Sequence, residues 1–156
     1  MTIFDAIRSG SFTNVEILLE QDPELVNIVD PRGFSPLVLS TYLGFVDITR
    51  SIIAAGANVN QQDKVGNTAL MGVCFKGNIE LVKLLLDSGA DIDICNQNNS
   101  NALIFAASFG QEDTVQFLLE QGADTSQKDQ TGRTVLDYAR EKKLDSVIGR
   151  LLELSA

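Results

Sequence analysis

The sequence predicts an all-α solenoid of five stacked helix-loop-helix units joined by β-turn or hairpin connections, and three recurrences carry that prediction. Leu37, Leu70, Leu103 and Leu136 fall 33 residues apart, as do Gly44, Gly77 and Gly110, with Lys143 in the next equivalent place. Asp30, Asp63, Asn96 and Asp129 each open a turn that reaches Gly33, Gly66, Asn99 and Gly132 three residues later. Paired aliphatic residues recur at Leu18-Leu19, Ile52-Ile53, Leu85-Leu86, Leu118-Leu119 and Leu151-Leu152, at steps of 34, 33, 33 and 33. A fixed period of this length means that each unit buries its apolar face against its neighbours rather than inside a globule.

The first unit, residues 1–29, has no turn before its helix and sets Asp5, Arg8 and Ser9 among few apolar residues. It also holds Pro23 where the others have Ala, and it reads as an N-terminal cap. The second unit, 30–62, begins with a turn whose Gly33 can take positive φ. Ser35 follows as an N-cap, with Pro36 at the first helical position. The third, 63–95, repeats this with Gly66 and Thr68. Beyond Gly77, Ile79, Val82, Leu85 and Leu86 show helical spacing, and Gly89 stands where a left-handed C-cap stops the helix. The fourth, 96–128, uses Asn99 in the turn and Asn101 as cap. The fifth, 129–156, caps with Thr134, replaces the inter-helix Gly by Lys143, and reads as the C-terminal cap. All five belong to one domain, 1–156, because 156 residues leave no room for a second.

These residues resemble the ankyrin repeat, whose pattern runs D-x-x-G-x-T-P-L-H-x-A-A-x-x-G and ends in L-L-x-x-G-A-D/N-x-N. The third unit, DKVGNTALMGVCFKGNIELVKLLLDSGADID, follows it almost throughout, and the resemblance covers nearly the whole chain. A tetratricopeptide pattern has a similar period but explains neither the D-x-x-G turn nor the Gly-Ala ending at Gly56-Ala57, Gly89-Ala90 and Gly122-Ala123. The family's His after the motif Leu is replaced by Val38, Met71, Ile104 and Asp137. The resemblance implies that this His ties one turn to the next, so its loss bears on local rigidity rather than on architecture.

Composition narrows the function classes. Lys plus Arg total 12 against 21 Asp plus Glu, a formal charge of −9, which is the wrong sign for neutralising phosphates, so nucleic acid is not expected as a partner. The absence of histidine removes Ser-His-Asp and Cys-His catalysis and every imidazole metal ligand. Neither a GxxxxGK[ST] phosphate loop nor a GxGxxG turn is present. No catalytic residue, cofactor or metal site is therefore assigned. Asp91 with Asp93, and Glu112 with Asp113, fall at places that the family fills for turns and solvated helix faces. Cys74 and Cys95 lie outside any C-x-x-C spacing. Cys74 is expected to be a small buried hydrophobe and Cys95 an unreactive, partly exposed thiol.

The start, MTIFDAI, shows no basic region followed by an apolar one, and no apolar run reaches the ~18 residues of a membrane span. A cytosolic protein is expected, without a membrane partner and monomeric, with Leu151 and Leu152 in the paired-aliphatic core place.

The resemblance implies a curved stack whose concave side, lined by turn tips and first helices, contacts another protein. Carried over position by position, that side comprises Arg32, Phe34, Tyr42, Leu43, Lys64, Val65, Asn67, Phe75, Lys76, Asn98, Ser100, Phe109 and Arg133. Large apolar side chains at solvent-facing places are suited to interface centres. The acidic residues concentrate on the second helices, at Glu16, Glu20, Glu24, Asp47, Glu80, Asp87, Glu112, Asp113 and Glu120. The expected groove is mixed, aromatic and mildly basic, with an acidic convex back. The function expected is that of an adaptor or inhibitor acting through the groove. The alternative is an immunity-type inhibitor that captures a basic protein on its acidic surface.

Overall fold

The computed structural model describes residues 1–156, and the inner helices begin where the sequence supplies a cap. Ten α-helices form: α1 Ile3–Arg8, α2 Phe12–Gln21, α3 Pro36–Leu43, α4 Val46–Ala54, α5 Ala69–Lys76, α6 Ile79–Asp87, α7 Ala102–Ser108, α8 Glu112–Glu120, α9 Val135–Glu141 and α10 Asp145–Leu154. A short 3-10 helix, Pro23–Asn27, follows α2. Ser35, Thr68 and Asn101 accept the backbone N–H of Val38, Met71 and Ile104, satisfying an otherwise orphaned donor at each start. Thr2 pairs reciprocally with Asp5 at the start of α1, which holds the Asp5 carboxyl below its usual range.

The helices form two rows. The inner row, α1, α3, α5, α7 and α9, runs alongside the outer row, α2, α4, α6, α8 and α10. Neighbouring inner helices pack more closely than neighbouring outer ones, so the stack bends toward the inner row, which becomes the concave side. The core is one continuous strip. Leu37, Leu70 and Leu103 supply it from the inner helices, and Leu19, Ile52, Leu85, Leu118 and Leu151 from the outer ones.

That second series corrects the repeat's register in the first unit. The buried member of its aliphatic pair is Leu19, 33 residues before Ile52, so the 34-residue step disappears. Phe4 likewise stands 33 residues before Leu37 and is buried. The first unit lacks the turn but keeps the same core register.

All four turns use one geometry and no strand forms between them. Oδ1 of Asp30 accepts the N–H groups of Arg32 and Phe34, Asp63 those of Val65 and Asn67, Asn96 those of Asn98 and Ser100, and Asp129 those of Thr131 and Arg133. Each turn then closes through a backbone bond, as from Gly66 to Asp63 at 3.0 Å.

Asn99 takes φ 60° in the turn of the fourth unit, and Lys143 takes φ 57° at the place held by Gly44, Gly77 and Gly110. A β-carbon in the left-handed region costs about 1–2 kcal/mol, and Lys143 has no local side-chain bond to offset it. Lys143→Gly should therefore raise the unfolding free energy by about 1 kcal/mol in urea titration, and an unchanged or lower value would contradict this.

Side-chain amides and carboxylates tie each unit to the next. Asn27, Asn60 and Asp93, again 33 apart, accept the N–H groups of Asn58, Asp91 and Asp124 in the next unit, at 2.8, 2.7 and 2.9 Å. Gln62 and Gln127 reach the carbonyls of Cys95 and Asn99, and Asn96 donates to Asn67. The units are thus stitched along the edge that carries the turns.

Candidate functional site

The concave surface is built from the turn tips and the exposed ends of α3, α5 and α7. A helix that buries its motif Leu must turn its last residues outward, and Tyr42, Phe75 and Phe109 stand at or just past such ends. They are 54%, 38% and 53% exposed, and Leu43 and Val65 are also exposed. Apolar groups of this size left in water on one face form a surface suited to burial against a second molecule.

Phe34 differs from the expectation. It is half-buried because the turn folds it against the start of the next unit, where it lines a cleft with Val38, Tyr42, Asn67 and Ala69. Phe75 and Phe109 meet edge-to-face at 4.4 Å, and Phe109 stacks on the half-buried Phe105 at 6.5 Å. The aromatic patch therefore includes Phe105, which sequence reasoning missed. The equivalent places in the other units hold Leu39, Gly72 and Tyr138, so the repeat carried no consistent signal for an aromatic residue there.

The cations are less free than the sequence implied. Arg32 bonds Asp30 at 3.3 Å and lies 4.8 Å from the centre of the Phe34 ring. Arg133 pairs with Glu141 and lies 4.0 Å above Tyr138. Lys64 donates to the carbonyl of Pro31 and Lys76 to that of Tyr42, both at 2.6 Å, with Lys76 also 3.8 Å above the Tyr42 ring. Neither lysine forms an ion pair. Asn98 is exposed at the tip of the fourth unit's turn, where its carbonyl accepts the N–H of Gln130, and Ser100 is half-buried. Asn67 is held by the amide of Asn96.

The titratable groups serve the turns. Burial opposes ionisation of Asp129, but the hydroxyls of Thr131 and Tyr138 and the N–H groups of Arg133 and Thr131 outweigh it and bring its pKa down to about 2. Asp30 is lowered in the same way, against burial, by the N–H groups of Phe34 and Arg32. The Tyr138 hydroxyl, donating to Asp129, is pushed up. Burial pushes the Cys74 thiol far up, and burial with the carboxylates of Asp93 and Asp124 raises that of Cys95. Neither thiol is activated. Asp91 and Asp93 are occupied with the N–H groups of Asp93 and Asp124.

Of the acidic residues expected on the convex back, all but Glu24, which lies on the 3-10 helix, stand on the outer row, while Asp5, Asp137 and Glu141 are on inner helices. Glu16, Glu20, Glu24, Asp47, Glu80, Asp87, Asp113 and Glu120 are exposed, Glu112 is half-buried, and none forms an ion pair.

A family model for ankyrin repeats, three copies, matches residues 3–96 and 70–156. Over 70 residues, 44% of the chain, the sequence is 37% identical to ankyrin repeat and SAM domain-containing protein 6 of Rattus norvegicus, of which it covers 8%. The corresponding protein of Mus musculus is 36% identical over 70 residues, again 8% of its length. A serine/threonine-protein kinase of Arabidopsis thaliana, VIK, is 39% identical over 56 residues, 36% of the chain and 13% of the kinase. The chain thus spans a small part of each relative's length.

Proposed function

Since the chain belongs to the ankyrin repeat family, whose members generally serve as protein-protein interaction modules, we propose that it binds a protein partner through its concave face as a cytosolic adaptor or inhibitor. The observation that carries this reading is the exposed row Tyr42, Phe75 and Phe109 on the ends of three successive inner helices. Aromatic side chains bury much area for little rotamer entropy and are enriched among the residues that dominate binding energy. Asn96 holds the side chain of Asn67 and the backbone N–H groups of Asn98 and Ser100, which lowers the cost of ordering this part of the surface on binding. The free thiols Cys74 and Cys95 suit a reducing compartment.

Replacing both Tyr42 and Phe75 by alanine should weaken partner binding by about 2 kcal/mol or more, roughly thirtyfold, in calorimetric titration. Circular dichroism should show the fold retained. A change below about 1 kcal/mol with intact folding would remove these residues as the centre of the interface.

A second reading draws on the unpaired carboxylates of the outer row, which suit capture of a basic protein. It requires affinity that falls steeply with salt and survives the double alanine variant.

A further inference from the structure

Between α3 and the turn and inner helix of the third unit lies a cleft of about 100 Å³, walled by Phe34, Val38, Tyr42 and Ala69. Its lining includes Gly72, in the interior of α5, where an added Cβ would meet nothing within 4 Å. Glycine in a helix interior costs about 0.5–1 kcal/mol relative to alanine, so an open wall is kept here at the expense of helix stability. Lys64 stands on the turn preceding α5 and Lys76 at its far end. Their ammonium groups rest on the carbonyls of Pro31 and Tyr42 and on the Tyr42 ring, without an ion pair, although carboxylates outnumber cations in the chain by 21 to 12. The carboxylate that lines the cleft, Asp63, has its Oδ1 occupied by the N–H groups of Val65 and Asn67. A cationic group held against neutral acceptors gains from an incoming carboxylate, because charge-assisted hydrogen bonds are about twice as strong as neutral ones.

We propose that this cleft receives one aliphatic side chain from an acidic segment of a protein partner, with carboxylates on either side of it held by Lys64 and Lys76. This rests on the concave-face reading and narrows it to one partner chemistry. Lys64 rests on the turn that carries Phe34 and Lys76 on Tyr42, so each ammonium group stands beside a different wall residue of the cleft.

The test is selection of a random peptide phage library on the full chain, followed by fluorescence anisotropy with the enriched peptides. The expected sequences carry Leu, Ile or Val flanked by Asp or Glu. Gly72→Leu, which fills the cleft, should weaken them about tenfold or more. Lys64→Gln with Lys76→Gln should weaken them several-fold and flatten the salt dependence. Gly72→Ala should melt higher than the parent and bind less tightly, which keeps the test valid if the leucine variant fails to fold. Enriched peptides that lose affinity on Tyr42→Ala with Phe75→Ala, yet are indifferent to both Gly72 substitutions and both lysine substitutions, would overturn the cleft while leaving the concave face standing. Absence of enrichment, or peptides insensitive to every one of these changes, would overturn both.

Discussion

Leu103→Ala should lower the unfolding free energy by about 3 kcal/mol. Leu103 lies in α7, is fully buried, and belongs to the single apolar strip that runs the length of the stack. Removing three carbons forfeits their transfer energy and leaves a cavity whose cost depends on how far the surroundings can close. Here they close little. Ala102, Ala106 and Ala107 on the same helix are already as short as a side chain can be, and α7 is packed between α5 and α9. A solenoid makes the loss harder to absorb, since each unit touches only its neighbours and no distant segment shifts inward to compensate. Urea titration with tryptophan-free detection by circular dichroism measures it directly. A loss below about 1 kcal/mol would mean that the fourth unit contributes little to the common core.

Gly66→Ala is the second large effect, because two penalties coincide at one atom. Gly66 has φ 84°, where a β-carbon costs about 1–2 kcal/mol. That β-carbon would also stand 3.0 Å from Cα of Asn96 and 3.1 Å from the nitrogen of Gln97, both backbone atoms of the next turn. This approach is maintained by the bond from Gln97 N–H to the Val65 carbonyl at 3.1 Å. The turns of the third and fourth units would have to separate, and the total loss should reach about 2–3 kcal/mol. Gly132→Ala is the internal comparison: its φ is 80°, yet nothing lies within 4 Å of an added Cβ. It should show the dihedral penalty alone, about 1 kcal/mol. Equal losses in the two variants would mean that the close approach of the turns contributes nothing.

The periodic part of the structure was legible in the sequence because each unit solves the same problem with the same residues. A turn needs an acceptor side chain and a residue tolerant of positive φ, and Asp30 with Gly33 announces both. Asn99 kept the same geometry without glycine. The core positions followed from the period, although the aliphatic pair at Leu18 and Leu19 was read one residue out of step, since two adjacent leucines do not say which of them faces inward. The stitching by Asn27, Asn60 and Asp93 has the same 33-residue signature, but polar residues near turns carry no direction until the neighbouring backbone is placed.

The candidate surface was less legible, for the same physical reason. Position along an inner helix foretold that Tyr42, Phe75 and Phe109 face outward. It did not foretell that Phe34 folds into a cleft, that Arg133 is occupied by Glu141, or that Gly72 opens the wall of that cleft. The places of Phe34 and Gly72 depend on the packing of one unit against the next, which no single repeat encodes, and the Arg133–Glu141 pair on how the turn of the fifth unit lies against the end of α9.

A partner on the concave face and a partner on the acidic back shield different amides, and amide hydrogen exchange on the full chain, alone and with a partner recovered by affinity purification, distinguishes them. Protection on binding should concentrate in the turn tips around Arg32, Lys64 and Asn98 and at the ends of α3, α5 and α7. Protection confined to α4, α6 and α8, with those tips unchanged, would contradict the concave-face reading.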